Sequence, residues 1–333
     1  MDIQKLTEIA KTLMAEDKGL LAMDESTASC NKRFAKLGIP ETEEMRRAWR
    51  ELILTTPNLS GCISGLILFD ETIRQATKDG TPFVKVIIDA GMISGIKVDG
   101  GLKDMPSHPG EKITDGLDGL PARLSEYFDM GARFAKWRAV FSISEGIPSQ
   151  ECIQANAQIL AEYALQCQQA GIVPMVEPEV LMDGSHTMEQ CRQVTEQVLK
   201  TVFTALAAKG VVLEGMILKP NMIVPGLDCP TQESVEVVAD ATVKLLMEVV
   251  PVNVAGVAFL SGGQSSQDAS ARLNAMNAKY KSELPWPLTF SYSRAIQYPA
   301  LEIWAGKEEN IKAAQESLYQ RAKQNQAARK GEY

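Results

Sequence analysis

The sequence predicts a closed (β/α)8 barrel, and three observations carry that prediction. Eight short apolar segments recur along the 333 residues with helical patterns between most of them, the alternation that builds parallel sheets. Eight such units over this length suit a closed barrel better than an open doubly wound sheet. No G-x-G-x-x-G follows the first apolar segment, so the phosphate-binding turn of an open dinucleotide-binding sheet is missing. No Pro-rich, Ser/Gly-rich or single-sign charge block interrupts the pattern, and one domain over residues 1–333 is expected, with a short polar end at about 325–333.

In chain order, Ile3, Leu6, Ile9 and Leu13 recur at helical spacing among acidic residues and predict an extra amphipathic helix ahead of the barrel. Residues 19–24 read as the first strand, ending in a functional loop at 24–29. A helix is expected over 41–54, with Thr42, Glu43 and Glu44 suiting its positive N-terminus. Residues 62–69 form the second strand, 83–88 a further extended piece, and 92–98 the third barrel strand. The stretch 100–119 is rich in Gly, Pro and Asp and reads as a long loop over a site. Residues 121–131 are helical and 134–140 make the fourth strand. A helix over 148–170 leads to the fifth strand at 172–180, and a helix over 188–209 to the sixth at 211–219. A helix over 233–248, a strand over 254–260, a helix over 267–280, a strand over 288–294 and two C-terminal helices complete the pattern.

Composition excludes several functions. Lys and Arg number 34 against 42 Asp and Glu, and the net charge of −8 disfavours phosphate-backbone binding, so no nucleic acid partner is expected. No apolar run approaches the ~18 residues of a membrane span, and the acidic first helix is unlike a targeting peptide. Six cysteines without a C-x-x-C pair read as reduced thiols. These features together point to a cytoplasmic protein without membrane contact. Only His108 and His186 are present, which leaves no set for a His-based metal centre or triad; no metal and no cofactor are expected. The chemistry falls to lysine, carboxylate and arginine.

Those residues gather at strand ends. Side chains two apart on a strand share a face, so Lys136 and Arg138 point together, as do Glu177 and Glu179. Charges on buried parallel strands are costly unless they pair or meet a ligand. A purely structural salt-bridge layer would account for these four. Asp24, Lys97, Lys219 and Arg294 stand near the ends of further strands, and the full set converges on the C-terminal rim, where barrel active sites lie. Ser261-Gly262-Gly263 and Ser293-Arg294 follow the seventh and eighth strands, the usual phosphate position, and supply close-approaching amides and a forked donor. Ser26, Ser29 and Lys97 suggest a second anionic pocket on the opposite rim.

A lysine attacks a ketone only as the neutral amine, which at a reference pKa of ~10.4 is about one molecule in a few thousand at pH 7. Desolvation and a second cation favour the neutral form. Lys219 ends an apolar run and is followed by Pro220, which stops strand pairing, and Lys136 is a candidate neighbouring cation. The residues imply carbon–carbon bond chemistry through a Schiff base and leave open which of the two lysines is the nucleophile.

Seven motifs then resemble class I fructose-bisphosphate aldolase: L-A-M-D-E-S-T-A-S at 21–29, G-I-K-V-D at 95–99, F-A-K-W-R at 134–138, V-E-P-E at 176–179, L-K-P-N-M at 218–222, F-L-S-G-G-Q at 259–264 and T-F-S-Y-S-R at 289–294. The resemblance implies reversible cleavage of fructose 1,6-bisphosphate to dihydroxyacetone phosphate and glyceraldehyde 3-phosphate, in glycolysis and gluconeogenesis. It implies Lys219 as the Schiff-base lysine, Glu177 as acid/base tuned by Lys136 and Glu179, Asp24 as acceptor of the C4 hydroxyl proton, and Arg138 as an orienting residue. It further implies a 1-phosphate site at Ser261, Gly262, Gly263, Ser293 and Arg294, a 6-phosphate site at Ser26, Ser29 and Lys97, and a metal-free homotetramer.

The chain departs from the animal pattern at Ser293 and Ala28, where glycine is usual, at Met23, where alanine is usual, and at Gly100, where lysine often stands. It closes at Tyr333 soon after the last helix, and Tyr333 is not assigned the proton-exchange role of the animal tail. Two other readings are an aldolase favouring sedoheptulose 1,7-bisphosphate, and a scaffold barrel whose rim charges are structural.

Overall fold

Residues 2–333 are described in a computed structural model. Eight parallel strands close into a barrel: β1 (Gly19–Ala22), β2 (Ile63–Leu68), β3 (Ile93–Lys97), β4 (Phe134–Phe141), β5 (Val173–Val180), β6 (Ile217–Leu218), β7 (Val257–Phe259) and β8 (Leu288–Tyr292). Each pairs with the next, and β8 returns to β1 with Leu20 opposite Ser291. The strands are almost entirely buried because helices cover their outer faces, which is why they read as apolar runs rather than alternations.

The barrel interior is split into two levels. At its N-terminal end Leu20, Ile67, Phe134, Val173, Met175, Ile217 and Ala258 form an apolar cluster with Leu6, Ala10 and Leu13 from the helix Ile3–Leu13. That helix, capped by Asp2, closes the barrel from below, and burying each of its two leucines contributes about 1.5–3 kcal/mol. Gly65 and Gly95 make room for Phe134: a Cβ on Gly95 would stand 2.3 Å from its ring, and one on Gly65 2.7 Å from Leu13. Arg329, buried near the end of the helix Ile311–Lys330, donates to the carbonyls of Met14 and Lys18 and ties the C-terminal helix to the end of this plug.

Several segments differ from the sequence pattern. The extended piece at 83–88 is instead the helix Phe83–Asp89: Phe83, Val84 and Ile87 are buried at helical spacing while Ile88 is exposed, so its β-branched residues imitate a strand. The loop at 100–119 contains an antiparallel hairpin, Gly101–Asp104 with Lys112–Asp115. The loop at 24–29 runs into a helix, Thr27–Lys36, whose N-cap is Ser26. The sixth strand contracts to Ile217–Leu218, because Leu213–Gly215 makes a 3-10 turn against the plug, where a Cβ on Gly215 would lie 3.2 Å from Leu6. Arg294 opens the helix Arg294–Trp304 rather than closing a strand. The polar end from 325 is helical to Lys330, with Asn325, Ala328 and Arg329 buried. All six cysteines are free and buried.

The tight fit around Phe134 predicts that Gly95→Ala destabilises the protein by about 1–3 kcal/mol through overpacking. Phe134→Leu in the same chain removes the far edge of the ring and should recover part of that loss. Urea unfolding of parent, single and double variants measures both effects; equal stability of Gly95→Ala and parent would refute the packing argument.

Candidate active site

Every candidate residue of the sequence reading lines one cavity of about 1220 Å3: Asp24, Ser26, Ser29, Lys97, Lys136, Arg138, Glu177, Glu179, Lys219, Ser261, Gly262, Gly263, Ser293 and Arg294. Strand direction explains the convergence. All eight strands run the same way, so the residues that end them meet at one mouth, above the apolar level.

At the floor Glu177 bridges two ammonium groups. Its Oε1 lies 3.2 Å from Lys219 Nζ and its Oε2 3.2 Å from Lys136 Nζ. Lys136 also contacts Asp24 Oδ2 at 2.8 Å and Asp99 Oδ2 at 3.9 Å. All five side chains are buried. Burial favours the neutral amine of Lys136, but Asp24, Glu177 and Asp99 outweigh it and hold its pKa above the ordinary lysine value. Burial likewise pushes the Asp24 and Glu177 carboxyls up, and Lys136 followed by Lys219 reverses this, leaving both below the ordinary carboxylate range. Lys136 is thus fixed as a cation by three carboxylates, whereas Lys219 contacts one. This difference separates two lysines that sequence pattern alone leaves equivalent.

Lys219 itself follows β6, yet its N–H donates to the Val176 carbonyl at 2.8 Å, so its backbone stays locked to β5 beside Glu177. Arg138 pairs through Nε with Glu179, and burial of its guanidinium is outweighed by that carboxylate, which raises its pKa. The expected pairing of Lys136 and Arg138 with Glu177 and Glu179 is present, and Asp24 and Lys219 join it.

On the β7–β8 side, Gly262 (φ +59°) and Gly263 (φ +102°) adopt left-handed backbone that glycine accommodates without strain, and Gln264 N–H closes the turn onto Ser261 O at 2.9 Å. Arg294 lies at the same mouth, its pKa lowered by burial and by the neighbouring Arg33. Ser26 Oγ is 3.2 Å from Ser29 Oγ at the start of the helix Thr27–Lys36. Because β1 pairs with β8, these serines stand beside the Arg294 turn and not across the barrel from it; only Lys97, on β3, is farther round. The opposite-rim expectation is corrected accordingly.

Several residues escaped the sequence reading. Asp99 holds Lys97 Nζ through Oδ1 at 2.6 Å and accepts the Arg138 N–H through Oδ2 at 3.3 Å. Glu25 pairs with Arg33 and, at 2.7 Å, with Arg50, and accepts the Ser293 hydroxyl at 2.6 Å. Lys32, Arg33 and Lys36 line the cavity from the helix Thr27–Lys36. The D of G-I-K-V-D and the E of M-D-E-S were visible signals; the basic residues belong to a helix the pattern did not reveal. His108 and His186 are outside the cavity lining, and among the described residues no group of three or more His, Cys, Asp or Glu is placed to hold a metal ion.

The family model described as fructose-bisphosphate aldolase class-I matches residues 5–333. A probable class 1 fructose-bisphosphate aldolase from Xanthomonas campestris is 54% identical, covering 100% of this chain and 99% of that protein. The cytosolic fructose-bisphosphate aldolase 5 of Arabidopsis thaliana is 50% identical over 99% of this chain and 91% of its own length. Among solved structures, fructose-bisphosphate aldolase from Plasmodium falciparum, in complex with TRAP and a small-molecule inhibitor, superposes with a TM-score of 0.97 at 46% identity, covering 99% of this chain and 95% of that one.

Lys136→Met removes the cation that keeps Asp24 and Glu177 ionised. With burial then opposed only by Lys219 and, for Glu177, Arg138, both carboxyl pKa values rise, and the acid limb of the pH–kcat/KM profile moves to higher pH by about a unit, while kcat falls by about 10²- to 10⁴-fold. A pH–rate profile of the variant checks the sign; an acid limb at the parent position would show that Lys136 does not hold the carboxylates.

Proposed function

Because the chain belongs to the class-I fructose-bisphosphate aldolase family, we propose that Lys219 is the nucleophile of its Schiff-base reaction, with Glu177, Lys136 and Asp24 moving and holding the protons. The reaction is the reversible aldol cleavage of fructose 1,6-bisphosphate to dihydroxyacetone phosphate and glyceraldehyde 3-phosphate, a carbon–carbon lyase step of glycolysis and gluconeogenesis. The observation that carries the assignment is the Glu177 carboxylate set between Lys219 and a second lysine that three carboxylates keep protonated.

Lys219 Nζ, after passing a proton to Glu177, attacks the C2 ketone. Glu177 returns the proton to the carbinolamine oxygen, water leaves, and a protonated Schiff base remains. Asp24 accepts the C4 hydroxyl proton, the C3–C4 bond breaks, and its electron pair enters the iminium to give an enamine. Glyceraldehyde 3-phosphate departs; protonation at C3 and hydrolysis free dihydroxyacetone phosphate and restore Lys219. Lys136 stabilises the negative charge on Asp24, and on Glu177 in the steps where it is ionised.

Ser261, Gly262, Gly263 and Arg294 are assigned the 1-phosphate, and Ser26, Ser29 and Lys97 the 6-phosphate. Arg138, held by Glu179, orients the sugar between them. Lys97 is bound to Asp99, so an incoming phosphate competes with that carboxylate. A cytoplasmic homotetramer is the setting we propose. The Arabidopsis relative is named cytosolic, and among the described residues no helix is long and apolar enough to cross a membrane.

Borohydride reduction in the presence of dihydroxyacetone phosphate should leave a stable adduct on Lys219, located by peptide mass mapping. Lys219→Met should lose the adduct and at least about 10³-fold in kcat. An adduct on another lysine, or full activity in Lys219→Met, would overturn the assignment.

A further inference from the structure

Ser293 stands at the N-cap of the helix Arg294–Trp304, where a serine ordinarily accepts a hydrogen bond from the first turn. Here it makes no side-chain cap. Its hydroxyl instead donates to Glu25 Oε1 at 2.6 Å, across 268 residues of chain. The Glu25 side chain is buried and held on its other side by Arg50 at 2.7 Å, with Arg33 paired to the same Oε1. Burial opposes ionisation of Glu25, but Arg33, Arg50 and the Ser293 hydroxyl hold its pKa below the carboxylate range, so the acceptor stays charged at working pH. Gln297 Nε2, one turn on in the helix, donates to Glu25 Oε1 at 3.0 Å and also to the Ala22 carbonyl.

The two segments joined in this way carry different parts of the site. Glu25 lies between Asp24 and Ser26, so its backbone sets both the cleavage base and the start of the serine pocket. Ser293 directly precedes Arg294. The β1–β8 ladder below pairs Leu20 with Ser291 and Leu21 with Tyr292 and stops there, leaving both segments beyond the last ladder pair. Their spacing above that point is therefore set by side chains, and the Glu25–Ser293 hydrogen bond is the shortest of the charge-assisted links between them, beside Gln297 Nε2 on Glu25 at 3.0 Å and Arg33 on the Ser293 hydroxyl at 3.5 Å.

We propose that Ser293 is a positioning residue that fixes the distance between the two phosphate-binding segments through Glu25, and so determines preference for a substrate phosphorylated at both ends. The Ser293 side chain then acts through Glu25 and not as a phosphate ligand, which revises its role in the 1-phosphate site. The inference rests on the assignment of the two phosphate pockets above.

The test compares fructose 1,6-bisphosphate with fructose 1-phosphate, which lacks the second phosphate, in the parent, Ser293→Ala and Ser293→Thr. Gln297 keeps its own hydrogen bond to Glu25 in the variant, so the link is weakened rather than lost. The expected result for Ser293→Ala is a KM for the bisphosphate raised about 3- to 10-fold. Its kcat, its borohydride adduct on Lys219 and its KM for fructose 1-phosphate should stay within about 2-fold of the parent. Ser293→Thr, which keeps the hydroxyl, should restore most of the bisphosphate KM. An equal KM rise for both substrates would mean that Ser293 contacts the 1-phosphate, and no rise for either would mean that the link sets nothing; both overturn the proposal. A parent enzyme with no preference for the bisphosphate would remove the pocket assignment and the proposal together.

Discussion

One buried contact organises this protein: the Lys136 ammonium enclosed by Asp24, Glu177 and Asp99. Without the lysine, three buried carboxylates would protonate or repel one another; without the carboxylates, the lysine would lose its charge to burial. The cluster is therefore stable only as a whole, and each member comes from a different strand or strand end. Closing the barrel is what brings them together. The same enclosure keeps Lys136 charged and leaves Lys219, with its single carboxylate contact, in a different electrostatic position.

The cluster in turn depends on the level beneath it. Phe134, Met175 and Ile217 lie two residues before Lys136, Glu177 and Lys219 in the chain, on β4, β5 and β6, and the plug helix seals their far side. An apolar floor under a charged layer excludes water from below, so the charges interact at lower effective dielectric than they would in an open cleft. Gly65 and Gly95 contribute by having no side chain, since Leu13 and Phe134 respectively occupy the space a Cβ would need.

Most of the barrel was legible because its signals are local. Each strand announces itself as an apolar run and each long helix by its spacing. The segments that escaped have local signals that mislead. Phe83, Val84, Val86 and Ile87 are strand-forming residues placed in a helix, and the helix Thr27–Lys36 has only Cys30 and Phe34 buried, too little apolar face to stand out. The site was legible for the related reason that charges on buried strands are anomalous. Asp99, Glu25 and Arg33 were not recognised, because their importance lies in partners rather than in position.

By itself the sequence determined the alternation that makes a barrel, the strand-end charges that make its mouth reactive, and the family its motifs resemble. The tertiary structure decided what those charges are to each other. It separated Lys136 from Lys219 by the number of carboxylates around each, and it set Ser26 and Ser29 beside Arg294 because β8 closes on β1. It also joined Ser293 to Glu25 from the other end of the chain. The physical reason is that periodicity reports only which face of its own strand a residue occupies. Charge state and hydrogen-bond partner are set by neighbours within a few ångströms, and in a closed barrel those neighbours come from other strands.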